Sequence, residues 1–297
     1  MKDTFDAGSY DRSLENMSNI VLLEHVNLHH PDQRLATAFY VAGMGFTRDP
    51  YLMVGLENMW VNIGRTQIHL PTREPMPQRL RGTMHVVVPS IPEALNRLER
   101  VGRFLKDTDF SFRQGDGFLE VRCPWGNRFV CWEPDLRKWG SSQLGLVEVQ
   151  MDVAPGTASG IARFYVEILS APAHVTPGMG GLERTHVRVG ADQYLSFVET
   201  NADVPPYDGH HIQIYLADFS GPYAALRERG LISRETDEHE WRFIRIVDVD
   251  GGQTLFELEH EVRSMRHPLF GRQFVNRNTD QTNTAYVRGQ DDFRGTF

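Results

Sequence analysis

His210 and His211 open an alternating segment, HHIQIYL, that reads as a β-strand with one polar face. Glu257 follows 46 residues after His211, in a second alternating segment, GGQTLFELEHE, which also carries Glu259 and Glu261. An imidazole and a carboxylate on neighbouring strands of a curved sheet make half of a metal site. Oxygen ligands joined by one imidazole suit a hard or borderline divalent ion. The layout occurs once more upstream, altered, at HVVVPSIPEALNRLERVG, where His85 opens the strand.

The elements that would position these groups come in a repeat. Phe39-Tyr40 in ATAFYVAGMGF recurs as Phe164-Tyr165 in IARFYVEILSA after 125 residues, and His85 recurs as His211 after 126. Gly126 in PWGNRFVCWEP recurs as Gly251 in VDGGQTLFELE after 125. Anchors sharing nearly one offset predict homologous halves, 20–137 and 143–262, joined by LRKWGSSQ. Within each half the hydrophobic period changes from 2 to 3.6 and back twice. LLEHVNL reads as a strand and PDQRLATAFYVAGM as a helix, with Pro31 near its start and Gly43 and Gly45 near its end. MWVNIG and TQIHLP are strands about the Gly64-Arg65 turn, HVVVP is a strand, and PEALNRLERVG is a helix ended by Gly102. GFLEVRC and NRFVCWE form a hairpin, and the second half repeats the order from LVEVQMDV to TLFELEHE. The result is α+β: β-α-β-β-β written four times, with sheets wet on the concave side.

The totals bound the function class. At 297 residues, 40% hydrophobic and 24% charged, the chain is long enough for two domains. Its apolar runs are strand-sized, and the start, MKDTFDAGSYDRSLENMSN, has no signal-type apolar segment, so a cytoplasmic protein without a membrane partner is expected. Cys123 and Cys131 flank a turn and read as strand residues in a reducing compartment. Net charge −8 without a basic run speaks against nucleic acid. Residues 1–19 read as an N-terminal tail and 263–297 as a polar C-terminal tail. The alternative for Leu269, Phe270, Phe274 and Tyr286 is packing across a neighbouring subunit of a homo-oligomer.

With four β-α-β-β-β units in view, the chain resembles the vicinal oxygen chelate superfamily, which includes glyoxalase I, methylmalonyl-CoA epimerase, bleomycin-resistance proteins and extradiol ring-cleaving dioxygenases. The resemblance rests on LEHVNLHHPDQRLATAFYVAGMGF, CPWGNRFVCWEP, HIQIYLADF and DVDGGQTLFELE, and spans about residues 20–262. It implies two tandem glyoxalase-like domains with curved, half-open barrel sheets. It also implies metal ligands at fixed places, which fall on Gln150, Glu199, His211 and Glu257. Glu148 shares a strand face with Gln150, and Glu259 shares one with Glu257, so either could replace its neighbour. The first half offers a second set, His25, His69 and His85, whose usual acid position is Val130; Glu133 lies nearby but alternates to the opposite face.

His210 is the neighbouring group for acid/base work or for orienting a substrate oxygen, against a simple turn histidine. Tyr207, on the Pro205–Gly209 loop, either closes over a pocket or packs the loop. The Gly178–Gly181 cluster lacks the strand-then-helix context of a phosphate cradle and reads as a turn or lid.

The resemblance therefore implies a divalent-metal enzyme, using Zn, Ni, Co, Mn or Fe, that acts on a small oxygenated substrate. In the leading form, a lyase or isomerase, the ion stabilises an enediolate while Glu199 or Glu257 moves the proton. In the second, an extradiol-type dioxygenase, Fe(II) or Mn(II) would need two histidines and one carboxylate. The third is a non-catalytic protein that sequesters a small molecule.

Overall fold

The computed structural model describes residues 12–51, 57–73, 76–275, 278, 280–282 and 285–290. Residues 1–11 of the expected N-terminal tail lie outside them. The chain contains four β-α-β-β-β units. The first comprises β1 (Ile20–Asn27), α1 (Gln33–Ala36, prolonged by a π-helical turn Thr37–Gly43), β2 (Thr47–Arg48), β3 (Asn58–Ile63) and β4 (Thr66–Pro71). The second comprises β5 (Gly82–Val87), α2 (Ile91–Leu105), β6 (Ser111–Gln114), β7 (Phe118–Arg122) and β8 (Arg128–Trp132). After the short helix α3 (Leu136–Trp139), the third has β9 (Gly145–Val153), α4 (Ala158–Leu169), β10 (Ala173–Pro177), β11 (Glu183–Gly190) and β12 (Gln193–Glu199). The fourth has β13 (His211–Leu216), α5 (Ser220–Glu228), β14 (Ile232–Asp237), β15 (Glu240–Val247) and β16 (Thr254–Ser264).

Each half of the chain gives one unit to each of two eight-stranded sheets. The first sheet runs β14-β15-β16-β13-β1-β4-β3-β2 and joins the first unit to the fourth. The second runs β10-β11-β12-β9-β5-β8-β7-β6 and joins the second unit to the third. In both, the first strands of two units meet antiparallel at the centre: β1 on β13, and β5 on β9. Gln193 ties the sheets together, its amide nitrogen donating to the carbonyls of Leu23 and Leu146 at 2.9 Å. Gly64, at φ +61° in the β3–β4 turn, abuts the Leu144 carbonyl so closely that any Cβ would collide with it.

Alternation sorts each strand of the first sheet into a core side and a polar side. Val26, Ile68, Ile212 and Val262 turn inward to a continuous core that also takes Phe39, Tyr40, Phe164 and Tyr165 from the helical segments. These aromatic pairs are the repeat anchors, so the repeat marks core positions. The helix α2 runs on to Leu105, past Gly102, where the sequence pattern ends it. A glycine inside a helix costs only about 1 kcal/mol against alanine, and the buried Leu98 and Leu105 hold both ends of the last turns in the core. The Gly178–Gly181 cluster forms an exposed 3-10 turn between β10 and β11. Cys123 and Cys131 are buried and unpaired with each other. Among the described residues, no helix is long and apolar enough to cross a membrane.

The expected polar C-terminal tail does not stand off in solvent at its start. Phe270 packs edge-on to Tyr215, and Leu269 joins the cluster of Tyr51, Trp60 and Tyr286. These residues therefore cover the polar face of their own chain's first sheet.

Candidate metal centre

The polar side of the first sheet forms a cup. One transverse row of paired residues reads Glu261, Gln213, His25, Gln67 and Asn62 across β16, β13, β1, β4 and β3. The next row reads Glu259, His211, Asn27, His69 and Trp60. His25, His211 and Glu261 each offer one ligand atom, and these atoms lie within 4.8 Å of one another. With metal–ligand bonds of about 2.1 Å, two donors on one ion lie at most about 4.2 Å apart. Side-chain shifts of well under about 1 Å would therefore close the set around an ion.

Each member is prepared for that role by its surroundings. A register shift between Leu23 and His25 brings Glu24 beside the imidazole, with Nδ1 3.3 Å from its Oε2. A carboxylate accepts the Nδ1 hydrogen, so the lone pair is left on Nε2, which is buried without a hydrogen-bond partner among the described residues. Burial lowers the His25 pKa against the raising effect of Glu24, so the ring is neutral and able to ligate. His211 Nε2 is likewise unpartnered by hydrogen bonds and lies 3.4 Å from a Glu261 oxygen.

Burial by itself would raise the Glu261 pKa, but Arg263, then His211, His25 and Arg242, hold it well below the usual carboxylate range. The Arg242 and Arg263 guanidiniums each approach a Glu261 oxygen at 2.5 Å. On the floor between His25 and Glu261, both polar atoms of the fully buried Gln213 amide lack partners among the described residues. Groups so placed signal an occupant with its own donors or acceptors.

The surrounding charges have the matching imbalance. Glu24, Glu240, Glu259 and Glu261 face Arg242 and Arg263 in linked ion pairs, and Asp49 faces Arg272 in a separate one. Five carboxylates against three guanidiniums leave two negative charges over, the charge that one divalent cation neutralises. The residues thus fit a divalent ion in donor type, spacing and charge.

No family model and no curated protein matches the chain. Solved structures do. A crystal structure of a point mutant of glyoxalase I from Zea mays aligns with TM-score 0.60 at 13% identity, over 83% of this chain and 94% of its own. A putative dioxygenase from Bacillus subtilis subsp. subtilis str. 168 aligns with TM-score 0.55 at 12% identity, over 91% of both chains. The chain shares the fold of these structures.

Within this fold, the ligand set expected from the sequence does not converge. Gln150 and Glu199 lie on β9 and β12 of the second sheet, whereas His211 and Glu257 lie on the first. The Glu199 oxygens accept the backbone hydrogens of Ala158 (3.0 Å) and Glu183 (2.9 Å), so this acid anchors the start of α4 and of β11. Glu257 is exposed on β16, next to Arg245 in register. Its alternative, Glu259, is paired with Arg242 at 2.8 Å. The other alternative, Glu148, is bound to Arg184 and to the Ser196 hydroxyl in the second sheet.

The second histidine set is also divided. His25 and His69 share the first cup, with ring centroids 6.1 Å apart, while His85 is on β5 of the second sheet and accepts from the Trp132 indole. His69 Nε2 lies 2.5 Å from the Asn58 amide oxygen, and its ring stacks on Trp60 at 3.9 Å. That nitrogen is therefore committed to Asn58 rather than to an ion. His210 alternates away from His211 into the interior, where its Nδ1 meets Asp208 at 2.6 Å. The Tyr207 hydroxyl donates to the His210 carbonyl (2.7 Å) and accepts from the Glu259 N–H (3.1 Å), stapling its loop to β16.

Sequence reasoning names Glu261 as one of three acids on the last strand but leaves it out of the ligand set, and it does not pair His25 with His211. Glu261 shares a strand face with Glu257 and Glu259, so alternation alone could nominate it. The partnership was hinted at by both histidines lying on first strands of their units.

Proposed function

We propose that the protein is a divalent-metal enzyme of the extradiol dioxygenase type, acting on a small vicinal dihydroxy aromatic. The observation that carries it is the donor set itself: two imidazoles and one carboxylate, His25, His211 and Glu261, on one polar sheet face. This combination with open positions suits non-haem Fe(II), and Mn(II) shares its ligand preferences. Such an ion, when bound, supplies chelation of vicinal oxygens and one-electron chemistry with dioxygen.

The chain's own groups favour this reading over proton abstraction next to a carbonyl. A general base needs a pKa near the working pH. Glu261 is held far below that range, and Glu259 is tied to Arg242. His69 is no better suited: burial first, and then its His25 and His211 neighbours, depress its pKa well below the ordinary value, so it too is a weak base.

Oxygen uptake by Fe(II)- or Mn(II)-loaded protein with a panel of catechols tests the proposal. Uptake with appearance of a ring-opened product, lost in His211→Ala, is the expected result. Stoichiometric metal without uptake on any catechol, together with proton exchange on an α-hydroxycarbonyl compound, would move the assignment to the isomerase class. A ligand retained unchanged by metal-free protein would instead mark a sequestering protein.

A further inference from the structure

The chain end lies across the cup as a strap. Beyond β16, Phe270 rests edge-on against Tyr215 of β13, with ring centroids 4.8 Å apart. On the far side of the cup, Arg272 reaches Asp49 at 2.5 Å, with side chains 4% and 0% exposed. Asp49 also accepts from the Gln67 amide at 2.8 Å, and Gln67 is the register neighbour of His25. The strap is thus fixed at both rims and latched, through Asp49 and Gln67, to the row that holds the ligand set.

Under it is a cavity of about 140 Å³. Trp60, Gln67 and Arg263 line it from the sheet, and Tyr51, Leu269 and Arg272 from the rim and the strap. Two of these residues touch the candidate metal centre: Trp60 stands edge-on to His25 at 4.7 Å, and Arg263 binds Glu261. The volume is informative: although Gln67, Arg263 and Arg272 make this cavity partly polar, its size matches the apolar cavity of about 150 Å³ that admits one benzene ring. A second ring would need the space that Leu269 and Arg272 occupy.

We propose that the strap Leu269–Arg272 is the specificity wall of this site. It limits the substrate to a single hydroxylated ring and turns away two-ring analogues. This rests on the dioxygenase-type reading, because it takes the cavity beside the donor set as the place for the ring. Leu269 sets the depth of the wall, and the Arg272–Asp49 pair holds the wall in place.

The test uses full-length protein loaded with Mn(II), titrated without oxygen by following tryptophan fluorescence. The probes are catechol and 2,3-dihydroxybiphenyl, and metal content is measured in parallel. The wild-type protein should bind the two-ring probe at least about tenfold more weakly than catechol, the scale expected of a tight pocket wall. Leu269→Ala should bring the two affinities within about threefold, with metal content unchanged. Arg272→Gln, which releases the latch and leaves Leu269 in place, should narrow the ratio as well. Equal affinities in the wild type, or a ratio unmoved in both variants, overturns the inference while catechol binding upholds the reading beneath it. Failure of the metal-loaded protein to bind either probe overturns both, and is distinguished by the absence of any catechol response.

Discussion

Replacing Glu24 by glutamine isolates what a single buried oxygen does for the candidate ion. In the wild type the Glu24 carboxylate accepts the His25 Nδ1 hydrogen and keeps the lone pair on Nε2, which is buried without a hydrogen-bond partner among the described residues. Glutamine keeps the shape and can still accept from the Tyr215 hydroxyl, which lies 3.3 Å from Glu24 Oε1. It removes the charge and lets the amide present either end to His25. Losing an outer partner of a metal-bound histidine weakens metal affinity by about 10–100-fold.

Two structural facts place the expectation within that range. The Nδ1–Oε2 separation, 3.3 Å, is long for a charge-assisted hydrogen bond, which argues for the lower end. The substitution also leaves four carboxylates against three guanidiniums, halving the negative excess, which pushes the effect upward. We expect a loss of about 20–30-fold, roughly 2 kcal/mol. Competition between protein and a chromophoric chelator for Mn(II) at pH near neutrality measures it. Glu257→Gln, on the same strand as Glu261 but exposed, serves as the control and should stay within about twofold. Unchanged affinity in a folded Glu24→Gln protein, or an equal loss in Glu257→Gln, would refute the tautomer argument.

Other outcomes follow from the same geometry. His25→Ala and His211→Ala should each reduce Mn(II) affinity by at least about 100-fold in the same competition, whereas His85→Ala, on the other sheet, should leave it unchanged. Glu199→Gln should leave metal affinity intact but lower stability by about 1 kcal/mol in urea unfolding, the usual scale of a lost helix-start acceptor. Asp49→Asn leaves the buried Arg272 without its counter-charge and should destabilise by about 3 kcal/mol, read as a fall in thermal midpoint. His260 is fully buried, and burial lowers its pKa to about 3. A histidine with a depressed folded-state pKa stabilises above its unfolded value, near 6.5, and that stability drains as pH falls towards the folded value. The urea midpoint should therefore drop steadily from pH about 6.5 to about 4, and His260→Gln should flatten that slope by about 1 kcal/mol per pH unit.

How much of this was legible in the chain differs by element. The strands that carry the cup, β1, β4, β13 and β16, alternate cleanly in residue type, apolar side chains facing the core and polar ones the cup, even though both faces are largely buried. The outermost strands, β2, β6, β10 and β14, do not announce themselves in this way. Each pairs along one edge only, and two of them, β6 and β14, are largely exposed, so little selects an apolar face. Glu199 shows the opposite failure, in which a well-placed acid looked like a ligand. An acid that accepts backbone hydrogens and one that binds a metal obey the same strand alternation, and only the partners distinguish them.

The sequence by itself determined the unit, its fourfold recurrence, and which strand faces carry histidine and carboxylate. These are short-range properties: periodicity, turn chemistry and the spacing of core aromatics are written within about 50 residues. Which units share a sheet was decided only by the tertiary structure. The first unit pairs with the fourth, and so His25 meets His211 and Glu261 across 186 and 236 positions of chain. Strand edges accept any partner that offers backbone hydrogen bonds, and the repeat makes all four units nearly equivalent in pattern. The choice between them rests on packing over the whole core, where Gln193, Gly64 and the chain end crossing the cup each contribute a contact that no local spacing encodes.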